Sequence, residues 1–122
     1  DATTFDFADA IAKEKWQGRV DYFSVDCEPP EVTFKALKAF PHDTFRASVI
    51  TFEHDSYKDG DTIRDHSRKF LEKLGYQLVC ASVCNGGNPY EDWWVDPKVV
   101  SEEIWKPFEC VDQEAKSIII GQ

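Results

Sequence analysis

Val20-Asp-Tyr-Phe-Ser-Val-Asp-Cys-Glu-Pro-Pro-Glu31 decides how the chain folds, because an apolar run stops abruptly at acidic residues and two prolines. Tyr22, Phe23 and Val25 suit a pleated, buried surface, and Asp26, Cys27 and Glu28 follow where such a strand would surface. Pro29 and Pro30 bar the strand from continuing, and Pro30 can open a helix. Asp26 and Glu28 are therefore expected in a strand-to-helix turn, the place where open α/β sheets bind ligands.

Upstream, Thr3-Thr4-Phe5-Asp6 resembles a capping box, and Phe7, Ala10 and Ile11 at helical spacing predict a short helix from about Phe5 to Lys15. Downstream, Val32, Ala36, Leu37 and Phe40 mark one face of a helix that Pro41 ends. Ala47–Glu53 reads as a second strand, closing in Glu53-His54-Asp55 as the first closes in acids. Ser56–Gly60 reads as a loop, and Asp61 as the N-cap of a helix whose apolar face is Ile63, Phe70, Leu71 and Leu74. Gly75-Tyr76 looks like a Schellman stop. Gln77–Cys84 is a third strand, and Asn85-Gly86-Gly87-Asn88-Pro89 turns it into an antiparallel partner, Tyr90–Val95. Trp93 and Trp94 should then point to opposite faces, at least one of them into the core. Beyond Asp96, Val99, Val100, Ile104 and Trp105 suggest a helix, while Ser117–Ile120 suits a strand or a helical end. The alternation of elements predicts an α/β fold: two parallel strands joined by a right-handed crossover, closed by the antiparallel hairpin, with helices on the faces.

Residues 1–122 are expected to form a single domain, since 42% of them are hydrophobic and enough core is available. The formal net charge of −9 speaks against nucleic acid, whose phosphates need a dense positive face. No apolar run of about 18 residues and no basic-then-apolar N-terminus is seen, so neither a membrane span nor a signal peptide is expected and the cytoplasm is the default. Cys27, Cys80, Cys84 and Cys110 include no C-x-x-C pair, and free thiols are expected. The chain contains no Met and begins at Asp1, which suggests a processed chain or a piece of something longer.

Four blocks, in order and in register, resemble the FkbM-type S-adenosylmethionine-dependent methyltransferases. Val20–Glu31 is similar to that family's D-x-E-G stretch, with Asp26 and Glu28 matching its two acids. Ala47–His54 resembles its next strand, Phe70-Leu-Glu-Lys-Leu-Gly-Tyr76 its following helix end, and Glu91-Asp-Trp-Trp-Val95 the closing strand of its hairpin. The resemblance spans residues 5–100 and leaves 101–122 as a C-terminal extension. It implies half of a Rossmann-like methyltransferase sheet, strands 4, 5, 6 and 7 of the order 3-2-1-4-5-7-6. The implied activity is methyl transfer to a hydroxyl of a sugar or other small-molecule acceptor. The Gly-rich turn and the acid that hold the cofactor in such folds lie in the absent half. S-adenosylmethionine is therefore implied for the complete fold, and none is expected on this chain alone. Pro29 stands where the family usually has Gly.

The candidate catalytic residues are Asp26, Glu28, Glu53 and His54, at the ends of two neighbouring strands, with Asp26 able to accept a proton or orient a hydroxyl. The competing explanation for Asp26 and Glu28 is that carboxylates suit a helix N-terminus. Glu53, His54 and Asp55 with Asp26 and Glu28 also suggest a second alternative, a small metal-dependent hydrolase, although a solvated strand end is the better reading and no metal ligand is assigned. Cys27, between two acids, is not read as a nucleophile, because neighbouring negative charge disfavours a thiolate. His42 and His66 are read as surface residues. Another alternative is a non-catalytic half-domain that serves self-association or protein interaction. The missing half would leave Val20–Val25 as an edge strand, which predicts a homodimer through Tyr22 and Ser24 that a charge at Phe23 would weaken.

Overall fold

The computed structural model describes residues 19–120, and side chains over residues 22–118; the helix expected over Phe5–Lys15 lies outside them. In chain order the elements are β1 (Arg19–Val25), α1 (Pro30–Ala39), β2 (Arg46–Glu53), α2 (Ser56–Asp59), α3 (Thr62–Lys73), β3 (Gln77–Asn85), β4 (Asn88–Val95), α4 (Glu102–Trp105), a 3-10 turn (Lys106–Phe108), β5 (Cys110–Val111) and α5 (Ala115–Ile120). The fold is α/β with a five-stranded mixed sheet in the order β1-β2-β4-β3-β5. β1 and β2 are parallel, with Tyr22 beside Val49 and Val25 beside Phe52. β4 runs antiparallel to both β2 and β3, so the hairpin closes the parallel pair as its turn chemistry predicts. Gly86 and Gly87 hold φ of 61° and 82°, the two left-handed residues that a tight two-residue hairpin needs.

α1 and α3 lie on one face of the sheet. Their buried residues Ala36, Leu37 and Leu71 pack with Phe23, Val25, Ile50, Phe52 and Trp94. Phe23 stacks on Phe40 at 4.3 Å and is only 6% exposed, so a charge there would break the core instead of testing an edge. Tyr22 and Ser24 alternate to the other face and are exposed. Trp94 is fully buried on the helix-covered side, whereas Trp93 packs against a second cluster of Val79, Cys80, Val83 and Ile118.

Several local expectations are corrected. Ser56–Asp59 is a turn of helix and not a loop. Asp61 precedes α3 but its backbone is already helical, and its carboxylate pairs with Arg64 at 3.1 Å instead of capping an amide. His42 is not a surface residue: its Nε2 donates to the Leu37 carbonyl at 2.7 Å and its ring meets Phe40 and Phe70. The tail folds as two short helices, a 3-10 turn and β5, a strand the sequence did not disclose because it is two residues long. The Schellman stop is present, with Gly75 at φ 90° donating to the Glu72 carbonyl and Tyr76 to that of Leu71. Cys27, Cys80, Cys84 and Cys110 are free thiols.

Candidate functional site

The turn after β1 is held by one side chain. The Cys27 amide donates to the Thr33 hydroxyl at 3.1 Å, and that hydroxyl donates back to the Cys27 carbonyl, so Thr33, fully buried, ties the strand end to the first turn of α1. Pro30, buried at the head of α1, supplies the fixed φ that lets the helix begin there. Asp26 and Glu28 are left exposed on this turn. Glu28 lies close enough to Lys58 of α2 to be the main cause of that ammonium's raised pKa.

Parallel pairing sets the end of β2 beside the end of β1, Phe52 against Val25, and carries Glu53 to Asp26. Glu53 lies against both the Asp26 and the Asp55 carboxyl groups. Burial first, then the closeness of those two acids and their negative charge, push its carboxyl up to about 9. Glu53 is therefore a protonated acid at neutral pH, able to donate one hydrogen bond within a group of carboxylates. Asp55 is 3% exposed and sits at φ 48°, a left-handed backbone that Asp tolerates better than most residues. The chain reverses here because the Tyr90 carbonyl accepts both the His54 and the Asp55 amides, at 2.8 and 3.0 Å. Across the sheet Glu91 stands opposite Glu53, and burial pushes its carboxyl up as well, against the hydrogen bond donated by the Trp93 indole at 2.6 Å.

A polar cavity of about 250 Å³ opens at this end, lined by Glu53, Asp55, Tyr57, Asn85, Asn88 and Tyr90. Phenol, amide and carboxyl groups in one small cavity match the hydroxyls of a polar ligand in donors and acceptors. Tyr57, Asn85, Asn88 and Tyr90 carry no functional signal in the sequence, since a turn Asn and a strand Tyr have ordinary structural explanations. What brings them in is the hairpin register, which returns the turn to the end of β2.

His54 does not join this group. Period-two alternation puts it on the side of Phe52, where it is fully buried. The Ser56 amide donates to its Nδ1 at 3.1 Å, so Nε2 carries the hydrogen and donates to Asp92 at 3.1 Å. Asp92 also takes two bonds from Arg68, Nε at 2.8 Å and Nη2 at 2.9 Å, and one from the Ser82 amide at 2.8 Å. Burial alone would raise the Asp92 carboxyl, but Arg68, His54 and Ser82 outweigh it and hold it at about 2. Ser82 reaches Asp92 because β3 is irregular between Cys80 and Val83, where Ser82 takes φ 54° and leaves the ladder. The sequence did signal this residue: Asp92 lies two before Trp94 on one strand, so a core-facing Trp94 implies a core-facing acid in need of a cation.

Among the described residues no group of three His, Cys, Asp or Glu has the spacing to hold a metal ion, and His54, the one imidazole assigned to that reading, is engaged elsewhere. The glycines at Gly60, Gly75, Gly86 and Gly87 lie after helices or in the hairpin turn, and at the strand-to-helix turn the Cys27 amide is taken up by Thr33. Comparison of the chain with protein-family models, curated proteins and solved structures finds no match.

Proposed function

We propose that this chain is the acceptor-side half of an FkbM-like methyltransferase, whose Asp26 and Glu53 handle the hydroxyl that receives the methyl group. The observation that carries the reading is the meeting of Asp26 and Glu53 at the C-terminal ends of two parallel strands, beside a polar cavity. The strand order β1-β2-β4-β3 supports it too, being the order expected of strands 4, 5, 7 and 6 in a Rossmann-like sheet. In this reading Asp26, exposed at the turn, takes the proton from the acceptor hydroxyl as its oxygen becomes the nucleophile. Glu53, protonated, donates a hydrogen bond that orients the same hydroxyl, and Asn85, Asn88 and Tyr90 hold the remainder of the acceptor. The cofactor supplies the methyl group and is held by residues other than these.

The test has two arms. The reading frame upstream of Asp1 is expected to encode a strand followed by G-x-G and a helix, and the protein made from that frame should transfer labelled methyl from S-adenosylmethionine to a sugar or a similar polyol. Asp26→Asn should abolish transfer, and residues 1–122 alone should bind no cofactor by calorimetry. A start codon at this point, or micromolar cofactor binding by residues 1–122, would sink the proposal.

One observation favours a second reading, a non-catalytic half-domain that self-associates. β1 has a single sheet neighbour among the described residues, and Tyr22 on it is 55% exposed. An edge of this kind, with no Lys or Pro between Arg19 and Val25, can pair with the same strand of a second copy. Sedimentation at tens of micromolar should then show a homodimer that Tyr22→Lys weakens; a monomer unaffected by that change would remove this reading.

A further inference from the structure

The face of the sheet opposite α1 and α3 carries a second, partly open cavity, of about 440 Å³, between the strands and the folded tail. Val49 of β2 with Trp93 and Val95 of β4 form its floor, and Trp105, Phe108 and Ile118 of the tail complete its lining. None of the described residues that line it carries a charge. Small-molecule sites run from about 300 to 1,000 Å³ and are lined mainly by apolar and aromatic groups with a few polar ones, which is what this cavity offers. Away from the Tyr22 end water is a poor occupant, because a buried water needs two to four polar partners and the apolar walls there supply none.

Polar groups occur at one end only. There Thr51 donates to Ser24 at 3.2 Å, so the 3.0 Å contact between Thr51 and Tyr22 has the Tyr22 hydroxyl as donor. The Tyr22 oxygen keeps its lone pairs, and Tyr22 is half-exposed at the mouth. A hydroxyl-sized donor on a ligand would find an acceptor at that point, whereas a carboxylate would meet another acceptor within a protein of net charge −9.

We propose that this cavity binds an uncharged apolar molecule carrying a single hydroxyl, of the long-chain alcohol or alkylphenol class. The site is separate from the acid-lined cavity at the β2 end and does not depend on the methyltransferase reading. Trp93 and Trp105 pack on the body of the ligand, and Tyr22 accepts its hydroxyl hydrogen.

The experiment titrates the neutral fluorescent probe N-phenylnaphthylamine into the protein, with decanol and decanoate as competitors at neutral pH. One saturable site is expected, displaced by decanol and not by decanoate. Val49→Phe, which fills the floor, should weaken probe binding by about tenfold or more. Should that variant fail to fold, the wild type still decides: decanol should shift the indole resonances of Trp93 and Trp105. Failure to saturate, equal displacement by decanoate, or shifts confined to Tyr57 and Asn88 would overturn the proposal. So would a sedimenting dimer whose formation excludes the probe, which would give this face to a second copy.

Discussion

Arg68 grips Asp92 with two parallel hydrogen bonds, Nε to Oδ2 at 2.8 Å and Nη2 to Oδ1 at 2.9 Å, joining the middle of α3 to a fully buried acid in the middle of β4. Such a fork-to-carboxylate pair fixes the distance and the rotation of the helix on the sheet. Arg68 also bonds Ser82, so the same guanidinium holds the irregular stretch of β3.

Removing the cation should therefore be costly. Arg68→Ala leaves Asp92 buried with only His54 and the Ser82 amide, and a loss of about 3–5 kcal/mol is expected. Urea denaturation at neutral pH measures it, and Arg68→Lys, which cannot fork, should recover only part of the loss.

The same carboxylate sets an acid limit. Its folded value of about 2 lies below the ordinary 3.8, so its contribution is whole above 3.8 and disappears as the pH falls through 2. At about 1.4 kcal/mol per unit this amounts to about 2–3 kcal/mol. Stability followed between those two values should fall in the wild type and change much less in Asp92→Asn, which starts lower.

Glu53 acts with the opposite sign. Its carboxyl is raised from 4.5 to about 9, so the contribution of the protonated form is whole below 4.5 and is lost as the pH rises through 9. Glu53→Gln, neutral at every pH, should flatten the alkaline side of the stability profile and exceed the wild type above pH 9. Glu53 is partly open to solvent, so screening makes the difference smaller than the shift alone suggests. A urea midpoint that stays level in the wild type from neutral pH to beyond 9 would show that Glu53 ionises normally.

In the helix–sheet core, Leu37→Ala should cost about 2–5 kcal/mol, since Leu37 is fully buried and its loss leaves a cavity. Phe70→Ala should cost less. Phe70 is only half-buried, and its ring meets Phe34 and His42 at the rim of the cluster. Parallel chemical denaturation of the two variants compares them directly, and equal losses would place Phe70 deeper than its exposure implies.

What the sequence determined by itself was the order and type of the main elements. The Pro29-Pro30 stop, the Pro41 stop, the Gly86-Gly87 turn and the Gly75 cap act within a few residues of themselves, and the alternation that sends Trp93 and Trp94 of β4 to opposite faces is readable from neighbours alone. Asp26 and Glu53 were legible as strand-end acids for the same reason. Only the tertiary structure decided which acid is protonated, because that depends on Asp26, Asp55 and Glu53 meeting in space. It also moved His54 from the candidate site to a buried network. That network's partners lie far along the chain, Asp92 being 38 residues from His54 and 24 from Arg68. Alternation assigns a side chain to a face, but its electrostatic partner is chosen by the strands and helices that pack there, and no local pattern records that choice.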